Sequence, residues 1–242
     1  MKLETISGSL LHTSGLFVAH KKQSLIVFFI WNMEILRNLT VNFGDKCILK
    51  NVTIESDKNI IHIIGPNGVG KTTLCNAIIG KTPFQGECYV DADNIGIMTD
   101  KMRIPSELQV KDVLDCINYD YSDAIFKSIF DKDFIKKKVG QLSSGQERLL
   151  SLCVVFYSNK KVIILDEITN SLDQNNRERI LSLVDEISTT TKIIYITHNL
   201  QEIFKLKGDL FFYQDCTFVK DKCNNYKELC DMYLDKYGAI DV

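Results

Sequence analysis

Apolar and polar residues alternate through 33-MEILRNLTVNFGDKCILKNVTIESD-57, and a Gly-Asp pair interrupts the alternation near its middle. Period-two patterning around a turn predicts a β-hairpin over 33–56. In 59-NIIHIIG-65 the alternation gives way to an almost unbroken apolar run, as expected of a strand covered on both faces. It leads straight into a Gly-rich turn and a helix, 71-KTTLCNAIIG-80, closed by Gly80. A second hairpin pattern is read around 85-QGECYVDADNIGIMT-99, and 101–141 reads as helical without another buried strand. The turn QLSSGQ then opens the helix 145-GQERLLSLCVVFY-157. Strand 161-KVIILD-166, helix 175-NNRERILSLVDEI-187 and strand 192-KIIYIT-197 follow, and 210-LFFYQDCTFVK-220 reads as strand–turn–strand.

Buried strands alternating with helices define an α/β fold, a parallel sheet flanked by helices. To this the pattern adds an N-terminal antiparallel β hairpin region and a short helical subdomain at about 101–141. Residues 33–242 are read as one domain. Before it lies 25-LIVFFIW-31, seven apolar residues preceded by Lys21 and Lys22; a membrane span needs about 20. Residues 1–32 are therefore read as an extension, either a short membrane-surface or partner contact or a stretch outside the native protein, with Met33 as the expected initiator.

Composition narrows the function classes. With 29 Lys+Arg against 31 Asp+Glu the net charge is -2, so the chain lacks the basic excess of a nucleic-acid binder, and no nucleic acid is expected as partner. None of the eight cysteines forms a C-x-x-C pair, which points to scattered reduced thiols rather than a metal cluster.

The chemistry lies in two motifs. Gly65-Pro66-Asn67-Gly68-Val69-Gly70-Lys71-Thr72 fits G-x-x-x-x-G-K-[ST] at every fixed position, with a buried strand before it and a helix after. Small residues let successive N–H groups close around phosphate oxygens, and the helix N-terminus adds about half a positive charge. Lys71 is expected on the β- and γ-phosphates, and the Thr72 hydroxyl on Mg²⁺. The strand 162–166 ends in Asp166, suited to the Mg²⁺ shell, and Glu167 follows, placed to polarise an attacking water. This makes the core that of a P-loop NTPase.

A guanine reader N-K-x-D is missing, since 159-NKKV-162 ends in Val162, and nucleotide kinases have no use for LSSGQ. A Ser-Ser-Gly turn opening a helix offers hydroxyls and N–H groups to an anion. The order 65-GPNGVGKT-72, LSSGQ at 142–146, 162-VIILDE-167, 171-SLD-173 and His198 resembles the ATP-binding subunit of ABC transporters, from Met33 to about Lys227. Leu142 and Asp166 are 24 positions apart, and Asp166 and His198 are 32 apart, as in that family.

The resemblance implies a dimer around two ATP molecules. Ser143, Gly145 and Gln146 of one subunit would reach the γ-phosphate held by residues 65–72 and Thr73 of the other. It implies that Phe43 stacks on adenine, worth about 1–3 kcal/mol by analogy with nucleic-acid bases. Glu167 would be the general base, with His198 and Lys71 completing the catalytic set; Asp173 would meet the dimer partner. Asp100 stands where the family has a glutamine touching Mg²⁺ or the water. It is shorter and anionic, so it needs a metal or cation beside it. Ser144 and Ile168 are lesser departures, replacing the family's usual Gly and Pro.

The expected partners are a second ATP-binding subunit, identical or homologous, and a separate transmembrane permease subunit. The expected location is the cytoplasmic face of a membrane, through that permease. The alternative is a soluble ABC-type ATPase serving cofactor or iron–sulphur assembly.

Overall fold

The computed structural model describes residues 16–21, 24–29, 33–122, 126 and 129–238. Strands β1 (Leu16–Lys21) and β2 (Ser24–Phe29) pair antiparallel as a two-stranded sheet of their own. The contact expected of the side chains in 25–31 lies outside what is described. Strands β3 (Met33–Phe43) and β4 (Lys46–Ser56) form the expected hairpin, and β6 (Gln85–Cys88) joins it on the far edge of β3.

The main sheet has six strands in the order β11–β10–β5–β9–β8–β7. They are β5 (Ile60–Ile64), β7 (Ile95–Thr99), β8 (Val162–Asp166), β9 (Lys192–Ile196), β10 (Asp209–Gln214) and β11 (Thr217–Asp221). Only the β10–β11 pairing is antiparallel. Their apolar runs are explained by burial on both faces. Ile163 and Leu165 of β8 pack into one cluster with Leu149, Leu152 and Val184, whereas Val162 and Ile164 pack into another with Leu36, Val52 and Leu74. Covering the faces are α1 (Lys71–Ile78), α2 (Val110–Cys116), α3 (Ser144–Tyr157), α4 (Gln174–Ser188), α5 (Leu200–Lys205) and α6 (Tyr226–Tyr237).

Two readings of the pattern are corrected. The apparent hairpin at 85–99 is split between sheets: β6 pairs antiparallel with β3, and β7 pairs parallel with β8. Both are edge strands of their sheets, but the β6 residues are mostly exposed whereas Ile95, Gly96 and Met98 of β7 are buried, so only β7 is packed into the core. The stretch 101–141 holds less regular helix than expected: its described residues include α2 and a 3₁₀ turn, Val139–Gln141, separated by turns and loop. Asp side chains there compete for backbone N–H groups: Asp120 Oδ1 accepts from Ser122 N at 3.0 Å and Asp131 Oδ1 from Phe134 N at 2.7 Å.

What positions the site is the register of the parallel strands. Thr99 of β7 lies opposite Asp166 of β8, Asp166 opposite Ile196 of β9, and Ile196 opposite Ile63 of β5. The segments leaving these four carboxyl ends begin with Asp100, Glu167, Thr197 and Gly65, and such a crevice is where open α/β sheets bind ligands.

His62, in the middle of β5, is fully buried, and Nε2 lies 2.5 Å from Leu206 O. Burial lowers its pKa from the usual 6.5 to about 4. A folded-state pKa below the unfolded one gives stability present above about pH 6.5 and lost as pH falls towards about 4. Two and a half units correspond to roughly 3 kcal/mol. Urea denaturation of the nucleotide-free chain at steps between pH 7 and pH 4 is expected to show this fall. His62→Gln, which keeps a donor and cannot titrate, is expected to flatten it.

Candidate active site

The loop Gly65–Thr72 joins β5 to α1. At its end Gly70 adopts φ 109°, a left-handed conformation that side chains resist, and Ile48 and Leu49 crowd the space a Cβ would fill. Lys71 is almost buried, and its Nζ donates to Gly65 O at 2.7 Å and to Pro66 O at 2.8 Å. Asn67, Gly68, Gly70, Lys71, Thr72 and Thr73 line a cleft of about 440 Å³ together with Asp100, Asp166 and Glu167. Val69 sits half-buried within the loop. Of residues 65–73, all but Val69 thus border one cavity or supply the carbonyls that hold Lys71.

The opposite wall is anionic. Burial pushes the Asp166 carboxyl up to about 6; the charge of Glu167 and then of Asp100 add to the effect, while Lys71 and Lys101 oppose it. A carboxylate crowded in this way gains from a divalent cation. The donor set of Asp166, Asp100 and the Thr72 hydroxyl, all oxygen and beside a phosphate loop, fits Mg²⁺.

Glu167 itself has φ 53°, an uncommon backbone for a residue with a side chain. Its N–H donates to Ile196 O at 2.9 Å, which fixes the turn against β9. Its carboxylate receives Asn170 Nδ2 at 2.9 Å on one oxygen and faces His198 Nδ1 at 3.6 Å on the other. The expected neighbourhood of His198 and Glu167 is therefore present within a single chain.

The LSSGQ segment stands apart: none of Ser143, Gly145 and Gln146 lines the cleft. Ser143 is the N-cap of α3 in a capping box, accepting from Gln146 N at 3.3 Å while Gln146 Oε1 accepts from Ser143 N at 3.1 Å. Gly145 is a packing requirement, because a Cβ there would lie 2.3 Å from Asn176 Cγ of α4. Asp173 caps α4 through Asn176 N at 3.0 Å, and that bond lowers its pKa. Phe43, by contrast, lies at the tip of the β3–β4 hairpin and is 56% exposed, with no packing role to account for it.

One contributor is invisible in the motifs. Arg148, on the second turn of α3 and 8% exposed, donates through Nη1 to Thr99 O at 2.8 Å and through Nη2 to Asp100 O at 2.6 Å. Arg103 Nη1 reaches the same Asp100 carbonyl at 2.7 Å. The backbone at Asp100 is thus tied to the helix that LSSGQ begins. The only sequence signal was a charged residue on the buried stripe of that helix.

A glycine-loop cradle, strand-end acids and a capped LSSGQ helix together define an ATP-binding cassette. Residues 49–170 match the family described as ABC transporter. The zinc import ATP-binding protein ZnuC of Rickettsia conorii is 32% identical over 180 residues, covering 70% of this chain and 77% of that one. The ribose import ATP-binding protein RbsA of Lactococcus lactis is 26% identical over 227 residues; the match covers 80% of this chain but only 46% of that longer protein. Among solved structures, a dimeric post-hydrolysis state of the ATP-binding cassette MJ0796 bound to ADP and Pi superposes with TM-score 0.64 at 22% identity, over 80% of this chain and all of that one. A putative metal-chelate type ABC transporter in an inward-facing conformation gives 0.65 at 20%, over 78% and 84%. The chain belongs to the ABC transporter family: it is an ATP-binding subunit with ATPase activity.

Gly145→Ala is expected to swing Asn176 off its 2.6 Å bond to Asp173 Oδ2 and to destabilise the chain by about 1–3 kcal/mol. Urea melts of the nucleotide-free protein measure it.

Proposed function

We propose that two copies of this chain, or one copy and a homologous subunit, close head to tail on two MgATP and drive a separate transmembrane permease. The observation that carries this reading is the placement of Glu167, beside His198 and at the mouth of the Lys71 cleft. Gly65–Thr73 hold the phosphates, Lys71 exchanging the loop carbonyls for phosphate oxygens. Phe43 stacks on adenine. Thr72 and Asp166, with Asp100, hold Mg²⁺, which supplies positive charge against the phosphate oxygens. Glu167 takes the proton of the attacking water, and His198 orients that carboxylate and reaches the γ-phosphate. Ser143, the Gly145 N–H and Gln146 meet the γ-phosphate on the partner's cradle, so that neither copy hydrolyses alone.

No helix among the described residues is long and apolar enough to cross a membrane. The subunit is placed on the cytoplasmic face through its permease, which docks on the surface formed by 101–141. Relatives named for zinc, ribose and galactose import support the import direction.

Glu167→Gln is expected to retain ATP binding, lose turnover and accumulate as an ATP-bound dimer in size-exclusion chromatography with light scattering. A monomer that still hydrolyses ATP at the normal rate removes Glu167 from its role. Ser143→Asp separates the two duties of Ser143. Aspartate caps helices as well as serine, so stability is expected to change by less than about 0.5 kcal/mol. ATP-driven dimerisation of that variant is expected to fail, because its carboxylate repels the γ-phosphate.

A further inference from the structure

The loop that presents His198 is anchored on a buried carboxylate that the motifs do not include. Glu202, on the first turn of α5, is 1% exposed. Its Oε2 accepts from Tyr195 OH at 2.9 Å and from Thr197 Oγ1 at 2.9 Å, and its Oε1 faces Arg177 Nε of α4 at 3.4 Å. Thr197 Oγ1 in turn accepts from Asn199 N at 3.1 Å, so the residues on either side of His198 are tied to one another and to Glu202. Tyr195 carries the chain of bonds the other way, to the side chain of Thr169, which is itself buried two residues beyond Glu167. Glu202 therefore stands between the segment bearing the carboxylate and the segment bearing the imidazole.

A carboxylate enclosed at this depth is unfavourable unless it is paired and hydrogen-bonded. Thr197 and Tyr195 could have been met by a neutral acceptor, and Arg177 could have been replaced by an apolar side chain. What the ion pair adds is a fixed spacing between three elements: β9, α5 and the helix capped by Asp173. His198, which leaves β9, faces Glu167 across a 3.6 Å gap.

We propose that Glu202 is a positioning residue for hydrolysis, acting through Thr197 to hold His198 against Glu167. This rests on the role assigned to His198 above. Glu202 does not border the nucleotide cleft, so it acts on the rate and not on ATP affinity.

The test is a set of phosphate-release assays on the full chain. Glu202→Gln and Thr197→Val are each expected to lower kcat on the order of 10- to 100-fold, as a slightly misplaced catalytic group does, with KM for ATP changed less than about 2-fold. Thr197→Ser, which keeps the hydroxyl, is expected to retain the wild-type rate. Neither Glu202→Gln nor Thr197→Val is expected to slow a His198→Ala chain further. Thr197→Val leaves the Glu202–Arg177 pair intact and carries the test if Glu202→Gln does not fold. Unchanged kcat in Thr197→Val, losses that add to that of His198→Ala, or a loss expressed in KM each overturn the proposal. If His198→Ala itself hydrolyses normally, the assignment of His198 fails and this proposal with it. If His198→Ala is slow while Thr197→Val is fast, only the role of Glu202 fails.

Discussion

Three carboxylates, Asp100, Asp166 and Glu167, are brought together by the register of β7 and β8 at the mouth of a loop whose lysine, with Lys101, opposes their charge at Asp166. Left alone, this concentration of negative charge is unfavourable, and it adds to the burial that raises the pKa of Asp166. The arrangement makes sense as one half of a neutralised assembly. The cleft has N–H groups on one wall for an anion and oxygen donors on the other for a cation, so the two ligands together satisfy what neither satisfies alone. The position of Asp100 strengthens this dependence, because an amide there would add no charge.

The second organising feature is that the LSSGQ and Asp173 side chains already have partners within the chain. Ser143 and Asp173 each cap a helix, and Gly145 lets those two helices pack together through Asn176. The same groups present two helix starts side by side on one surface. In the proposed dimer, a partner's phosphate would meet this capped, preorganised edge.

Legibility of the sequence divided along a physical line. The phosphate loop, Asp166, Glu167 and the LSSGQ cap could be read because their chemistry needs residues adjacent in the chain, and the apolar runs of β5, β8 and β9 could be read because burial on both faces leaves no alternation. The 85–99 segment was misread because alternation says that a strand has a covered face, not which strand covers it. Arg148 and Glu202 carried no signal beyond being charged residues on apolar stripes; their roles arise from contacts with Thr99, Asp100 and Arg177, set by packing. In 101–141, short-range bonds from Asp120 and Asp131 outweighed helical periodicity.

The Lys71 ammonium, resting on the carbonyls of Gly65 and Pro66, makes the cradle self-templated. A glycine-rich turn with nothing inside would wander among many shapes, and each visit by a nucleotide would begin with ordering it. With a cation of its own already in residence, the ring stays open at nearly the right diameter, and capture becomes an exchange of oxygens around one nitrogen. Association should therefore be fast, while the share of affinity due to Lys71 reflects the difference between phosphate and carbonyl as hosts.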